Sequence, residues 1–304
     1  MKHPVCEEFP LYQTTSTEAE SLRSWYIVNC VFNAFLTITA IILNGLTIQT
    51  LRKTSSLPEP LKTLLLSLAF SDLGVGLLVE PFYIGVLVKW LQRDNSTDAT
   101  VCTWTAFYLI MGLFSGASFV GVVVLSVDRF LAIHFHLRYQ ELVTHKRIVF
   151  LVVSLWISSA LLSLVSSSLP MTIAYLVLAI TGILCLLVSG LLFLNIYLTV
   201  RLHRNQIQAL QAHGQIANAA KLRKSTVGTF YIYLVFLKCY LPNFCSFAVM
   251  AIFEFSFSVR VHVMSSITLM LLNSSLNPIV CCWKMRHIRL AILDTLRNVF
   301  TSHN

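Results

Sequence analysis

Apolar residues run along this chain in long, nearly uninterrupted blocks, and polar residues gather in the short stretches between them. Seven blocks can be drawn, at about 25–51, 61–88, 103–135, 147–169, 173–200, 225–253 and 261–283. Each is longer than the roughly 20 residues that a helix rising 1.5 Å per residue needs to cross a hydrocarbon core about 30 Å thick. The pattern predicts an all-α membrane protein, a seven-transmembrane helix bundle. After the seventh block, Met285, Ile288, Leu290, Ile292, Leu293 and Leu296 alternate with Arg286, Arg289, Asp294 and Arg297. That spacing suits a short amphipathic helix lying on the membrane surface. The chain therefore divides into an amino-terminal segment (1–24), a membrane bundle (25–283) and the amphipathic helix with a short tail (284–304). The stretch from Arg201 to Lys224 is mostly helix-forming residues, so the flanking spans are expected to continue as helices into water.

Composition agrees with lipid as the main solvent: 56% of residues are hydrophobic, 12% are charged, and the mean hydropathy is +0.75. A soluble domain is nearer one quarter charged. Met1 to Ser24 carries four glutamates and no apolar run, so the first span is expected to direct its own insertion. If the amino terminus lies outside, sixteen of the 22 lysines and arginines fall on the cytosolic side and five outside, with Lys238 inside a span. That asymmetry fixes the orientation by the positive-inside rule. It also makes the net charge of +9 a topology signal, with the lipid bilayer as partner and no nucleic acid. The sequon at Asn95 then falls in an outer loop where it can be glycosylated, whereas Asn273-Ser274-Ser275 lies within the seventh span. Of eight cysteines, only Cys6 and Cys102 are expected to face the oxidising exterior, and a bridge between them and two free thiols both stay open.

The spans carry a set of marks in order: Asn44-Gly45, Ser67-Leu68-Ala69-Phe70-Ser71-Asp72, Asp128-Arg129-Phe130, Trp156, Tyr197, Cys239-Tyr240-Leu241-Pro242 and Asn277-Pro278-Ile279-Val280-Cys281. Together they resemble the class A (rhodopsin-like) G-protein-coupled receptors over nearly the whole chain. The very short link around Pro170, and Ser189-Gly190 where the family has a proline, are similar to the melanocortin and cannabinoid branch. The resemblance implies a receptor at the plasma membrane that carries an extracellular signal, its ligand unknown, to heterotrimeric G proteins. It further implies that Asp128 holds Arg129 at rest and that Leu137 is an apolar contact for the G protein. Tyr197, Tyr240, Asn277 and the helix-kinking Pro242 and Pro278 would take part in the switch. Two departures stand out: Tyr240 replaces the family's tryptophan, and Cys281 replaces the tyrosine that would meet Tyr197. Leu222 gives Arg129 no acidic partner from span six.

Asp72 lies about 15 Å into the membrane, where a carboxylate costs several kcal/mol unless compensated. Ser118, Asn273 and Asn277 are polar at similar depth, and the set resembles the family's sodium pocket. A structural sodium ion and a hydrogen-bonded network of waters around Asp72 are both open; no other cofactor is called for. Met111, Phe114 and Ser115, with Asn243, Phe244 and Phe247, share helical faces outward of Ser118 and Tyr240. They can line a ligand pocket, and equally they can be packing. Glu80 is the acid placed to meet a cationic ligand group. Met111 stands where amine receptors carry an aspartate, and span seven has no lysine for a retinal Schiff base. A transporter would show repeats or several midplane charges, and no paired acids or Ser–His pair suggest an enzyme. A receptor-like scaffold without signalling remains the other reading, because of Tyr240 and Cys281.

Overall fold

The computed structural model describes residues 16–54, 57–92, 97–135, 138–210, 213–253 and 256–284, with backbone alone over stretches such as 97–104, 200–210 and 213–230. Cys6, Asn95, Leu137 and the amphipathic segment after Lys284 lie outside the described residues. The helices are α1 (Ser16–Lys53), α2 (Glu59–Gly74), α3 (Glu80–Leu91), α4 (Thr97–His134), α5 (Tyr139–Leu142), α6 (His145–Ser168), α7 (Met171–Leu210), α8 (His213–Ile252) and α9 (Phe257–Lys284). Seven spans are long and apolar enough to cross a membrane, with α2 and α3 forming the second. The chain is thus a multi-pass seven-helix bundle, and no strand occurs among the described residues.

The bundle is inverted relative to a soluble protein. Bulky apolar side chains point outward: α6 buries only Ile148, Leu155 and Ser159, while Phe150 is 74% exposed. Polar side chains point inward, among them Asn29, Asn33, Asn44, Asp72, Glu80, Ser118, Asn273 and Asn277. In lipid, apolar surface gains nothing from being buried, so spans associate through close packing and interhelical hydrogen bonds. α9 packs against α8 and α1, α7 against α8, and α4 against α2, α6 and α7. Cross-links of this kind join α1 to α9. Asn33 Nδ2 donates to Thr268 Oγ1 at 3.0 Å, and Thr268 Oγ1 donates to Asn29 Oδ1 at 2.7 Å. Asn44 Nδ2 donates to the Ser274 carbonyl at 2.9 Å, and the Thr39 and Ser275 hydroxyls lie 2.9 Å apart.

Prolines set the breaks. Pro170 forces Leu169 into extended backbone (φ −86°, ψ 156°), so α6 ends and α7 restarts two residues later. In the second span, Pro81 has no N–H to give to Leu77, and its ring crowds that carbonyl. The helix widens into a π turn, Val75–Val79, in which the Glu80 N–H donates to the Val75 carbonyl. One extra residue in the turn rotates everything after it by about 100°. Pro81 is left exposed, and Glu80 is turned fully inside. Pro242 and Pro278 sit within α8 and α9, where each removes one intrahelical N–H donor.

Candidate functional site

The first cluster closes the mouth of the bundle at the basic ends of the spans. Asp128 and Arg129 sit near the end of α4, and both are buried. Arg129 Nε donates to Asp128 Oδ2 at 3.0 Å, and its terminal nitrogen pairs with the same oxygen. The other carboxylate oxygen, Oδ1, accepts from the Tyr139 hydroxyl at 2.7 Å. Burial first, then the adjacent Asp128 carboxylate, hold the Tyr139 phenol above its ordinary range, so it remains a neutral donor. Tyr139 stands on α5, so a carboxylate on one helix is gripped from two sides: by its own neighbour, and by the link to the next span.

The second cluster lies at mid-bundle. Ser118 Oγ donates to Asp72 Oδ1 at 2.9 Å, and Asn277 Nδ2 donates to Asp72 Oδ2 at 2.8 Å, with the Ser274 hydroxyl beside them. Spans two, three and seven therefore meet on one carboxylate. Asn273 is also fully buried, and neither of its amide atoms has a hydrogen-bond partner; Asn277 Oδ1 and Asn44 Oδ1 are likewise unpartnered. A cavity of about 10 Å³ opens between Asn44, Asp72 and Asn277, near the minimum for one water. Hard oxygens around a carboxylate and a cavity of that size fit a small cation or a water.

The third cluster is an aromatic column on α8. Tyr240 is buried and donates to the Ser115 carbonyl on α4 at 3.0 Å. Its ring contacts Phe236 (4.7 Å between centroids), Phe119 (5.2 Å) and Phe244 (6.2 Å). Phe247 stacks on Tyr175 of α7 at 5.9 Å, and Asn243 Nδ2 reaches Met270 Sδ at 3.4 Å. The column is close to α7 because Gly182 has no side chain: a Cβ there would lie 2.3 Å from the Phe244 ring.

Among the residues singled out from sequence, Met111, Ser115, Tyr240, Asn243, Phe244 and Phe247 share the interior. Phe114 turns toward spans two and four, against Gly74 and edge-on to Trp156 at 5.8 Å. Glu80 faces α1 instead of the aromatic column. Tyr197 is on the outer face of α7, 55% exposed, and is not brought to Asn277 here. Lys238 is exposed on the outer face of α8. Cys102, Leu222 and Cys281 lie on described helices, but their side chains are outside the description. Sequence reasoning missed Tyr139, Phe119 and Phe236 as members of these clusters. For Tyr139 a signal existed, since it stands eleven residues after Asp128 and two after Leu137, both singled out through the family resemblance.

The family description 7 transmembrane receptor (rhodopsin family) matches residues 43–172, which contain the Asp72 and Asp128–Arg129 marks. Over most of the chain it is similar to the Octopamine receptor beta-1R of Drosophila melanogaster: 25% identity, covering 94% of this chain and 65% of that protein. It is also 23% identical to Melanocortin receptor 3 of Homo sapiens, covering 88% and 84% of the two chains. A shorter match, 31% identical over 47% of this chain and 39% of the relative, is to the Adenosine receptor A2b of Gallus gallus. These findings and the seven-helix bundle define a membrane receptor, not an enzyme. The family match, these relatives and the seven-helix bundle together support a class A, rhodopsin-like G-protein-coupled receptor, with melanocortin-like similarity.

Proposed function

We propose that this chain transduces an extracellular ligand across the plasma membrane to heterotrimeric G proteins. Its amino terminus lies outside, and the Arg129 mouth faces the cytosol. The observation that carries the reading is the buried Asp128–Arg129 pair fixed by Tyr139 at the end of span three. A buried guanidinium released by movement of the helices presents a charge and new surface to a partner, and this is how a two-state element reports binding at its far end. Pro242 in α8 supplies the flexible point, and the Tyr240 bond to the Ser115 carbonyl ties that span to α4 in the resting form. Asp72 holds a sodium ion with Ser118, Asn273 and Asn277, supported by the unpartnered amide oxygens and by the small cavity that reaches Asp72 and Asn277.

The ligand enters from the end opposite Arg129, and Met111, Ser115, Asn243, Phe244 and Phe247 are its contacts on the central axis. The experiment is a ligand screen in cells expressing the chain, read by dissociation sensors for each G-protein family and compared with empty vector. Agonist-dependent dissociation in at least one family supports the reading. Silence in every family, with the receptor confirmed at the cell surface, supports a scaffold instead.

A further inference from the structure

We propose that Glu80 anchors a second cation site, between spans one, two and seven and separate from Asp72. Glu80 is fully buried, and neither carboxylate oxygen has a hydrogen-bond partner. Among the described residues no salt bridge reaches it: Lys62 pairs with Glu59, and Arg129 with Asp128. On α9 the outer arginine, Arg260, lies eight residues outward of Thr268, about 12 Å along the axis. An ionised, unpaired carboxylate at this depth is costly, so either a proton or a cation from outside the protein must balance it, and the oxygens around Glu80 suit the cation.

The surroundings supply oxygens and no cation. Asn29, Asn33 and Thr37 are four residues apart and so lie on one face of α1. The Thr37 hydroxyl sits beside the Glu80 carboxyl, yet its own hydrogen bond runs to the Asn33 carbonyl at 2.9 Å. Asn33 Oδ1 is buried and unpartnered. From the other side, Tyr83, one turn after Glu80, donates to the Met264 carbonyl at 3.4 Å and lies beside Thr268. Below, Gly76 lets α1 approach, since a Cβ there would meet Ala40 at 3.0 Å. The π turn is what turns Glu80 toward these oxygens, and such turns are frequent at functional sites.

The ligand class follows from the donors. All are hard oxygens, which suit alkali and alkaline-earth cations over transition metals. A single carboxylate balances a single charge, and no group of three or more His, Cys, Asp or Glu side chains converges among the described residues. The site therefore takes a monovalent cation, with sodium as the probe. Asp72 lies close enough to act electrostatically on Glu80, so occupancy of one site changes the other. Only this last coupling rests on the sodium reading of Asp72.

The test is thermal unfolding of the purified full-length receptor in sodium, potassium or N-methylglucamine chloride at equal ionic strength. Asp72→Asn should keep a cation-dependent rise in unfolding temperature, and Asp72→Asn with Glu80→Gln should lose it. Identical responses in these two variants overturn the Glu80 site. A loss in Glu80→Gln alone, with Asp72→Asn like the wild type, keeps this site and sinks the Asp72 one. A residual response that follows pH and ignores cation identity means a proton, and also overturns the proposal. Thr37→Val leaves the carboxyl in place and guards against misfolding of Glu80→Gln. It should raise the half-saturating sodium concentration of Asp72→Asn by about threefold to tenfold, and no change counts against the site.

Discussion

Tyr139→Phe removes one oxygen and leaves the ring, so it isolates the hydroxyl that holds Asp128. That hydroxyl donates to Oδ1 while Arg129 occupies Oδ2, so phenol and guanidinium do not compete for one oxygen. The phenol instead fixes the carboxylate plane that the guanidinium needs. A hydrogen bond to a charged acceptor contributes about 1.5–3 kcal/mol. Tyr139 is half-buried, and water takes up part of the lost bond, so the lower end applies. If the bond is present at rest and broken in the active form, its loss shifts the equilibrium by about 1.4 kcal/mol, or roughly tenfold. A receptor about 1% active without ligand would become about 10% active. The assay is ligand-independent G-protein dissociation at matched surface expression, with Asp128→Asn in parallel. Asp128→Asn should raise the signal at least as far, because it weakens both contacts at once. If Tyr139→Phe leaves the signal unchanged or lowers it while Asp128→Asn raises it, the hydroxyl does not hold the resting state.

Other expectations follow from the same structure. In Asp72→Asn, sodium's advantage over potassium in raising the unfolding temperature should shrink to the part that the Glu80 site supplies, whereas equal stabilisation of the wild type by both salts would favour a water network. Gly182→Ala places a methyl 2.3 Å from the Phe244 ring and should cost about 1–3 kcal/mol, seen as a lower unfolding temperature. Gly45→Ala meets nothing within 4 Å and should be neutral, or stabilise by up to about 1 kcal/mol. Asn95→Gln should increase gel mobility of the cell-expressed protein, and an amino-terminal tag should be labelled on intact cells; cytosolic labelling would reverse the topology.

The spans were legible in the sequence because lipid demands long apolar blocks, and the helices extend past the predicted blocks by only a few residues at most ends. α1 and the inner parts of α7 and α8 run further, where polar residues keep a helical bias in water. The direction of individual side chains was less legible. Lipid accepts any apolar face, so hydrophobicity could not say that Phe114 turns toward Trp156 or that Tyr197 faces outward. The π turn was readable only as a proline after a buried-looking acid, since its effect on register needs the backbone. Asn273-Ser274-Ser275 was set aside as a sequon in the wrong place. Its three polar side chains instead line the inner seam, with Ser274 beside Asp72 and Ser275 against Thr39.

Nucleotide exchange on a purified heterotrimer, catalysed by the receptor in lipid vesicles, tests most directly whether the Asp128–Arg129 pair is the switch. Wild type, Asp128→Asn and Arg129→Ala are compared with receptor-free vesicles for each G-protein family. In at least one family, the account predicts exchange above background for wild type, faster exchange for Asp128→Asn, and a return to background for Arg129→Ala. Exchange by Arg129→Ala at the wild-type rate, or background rates for all three in every family, would contradict it.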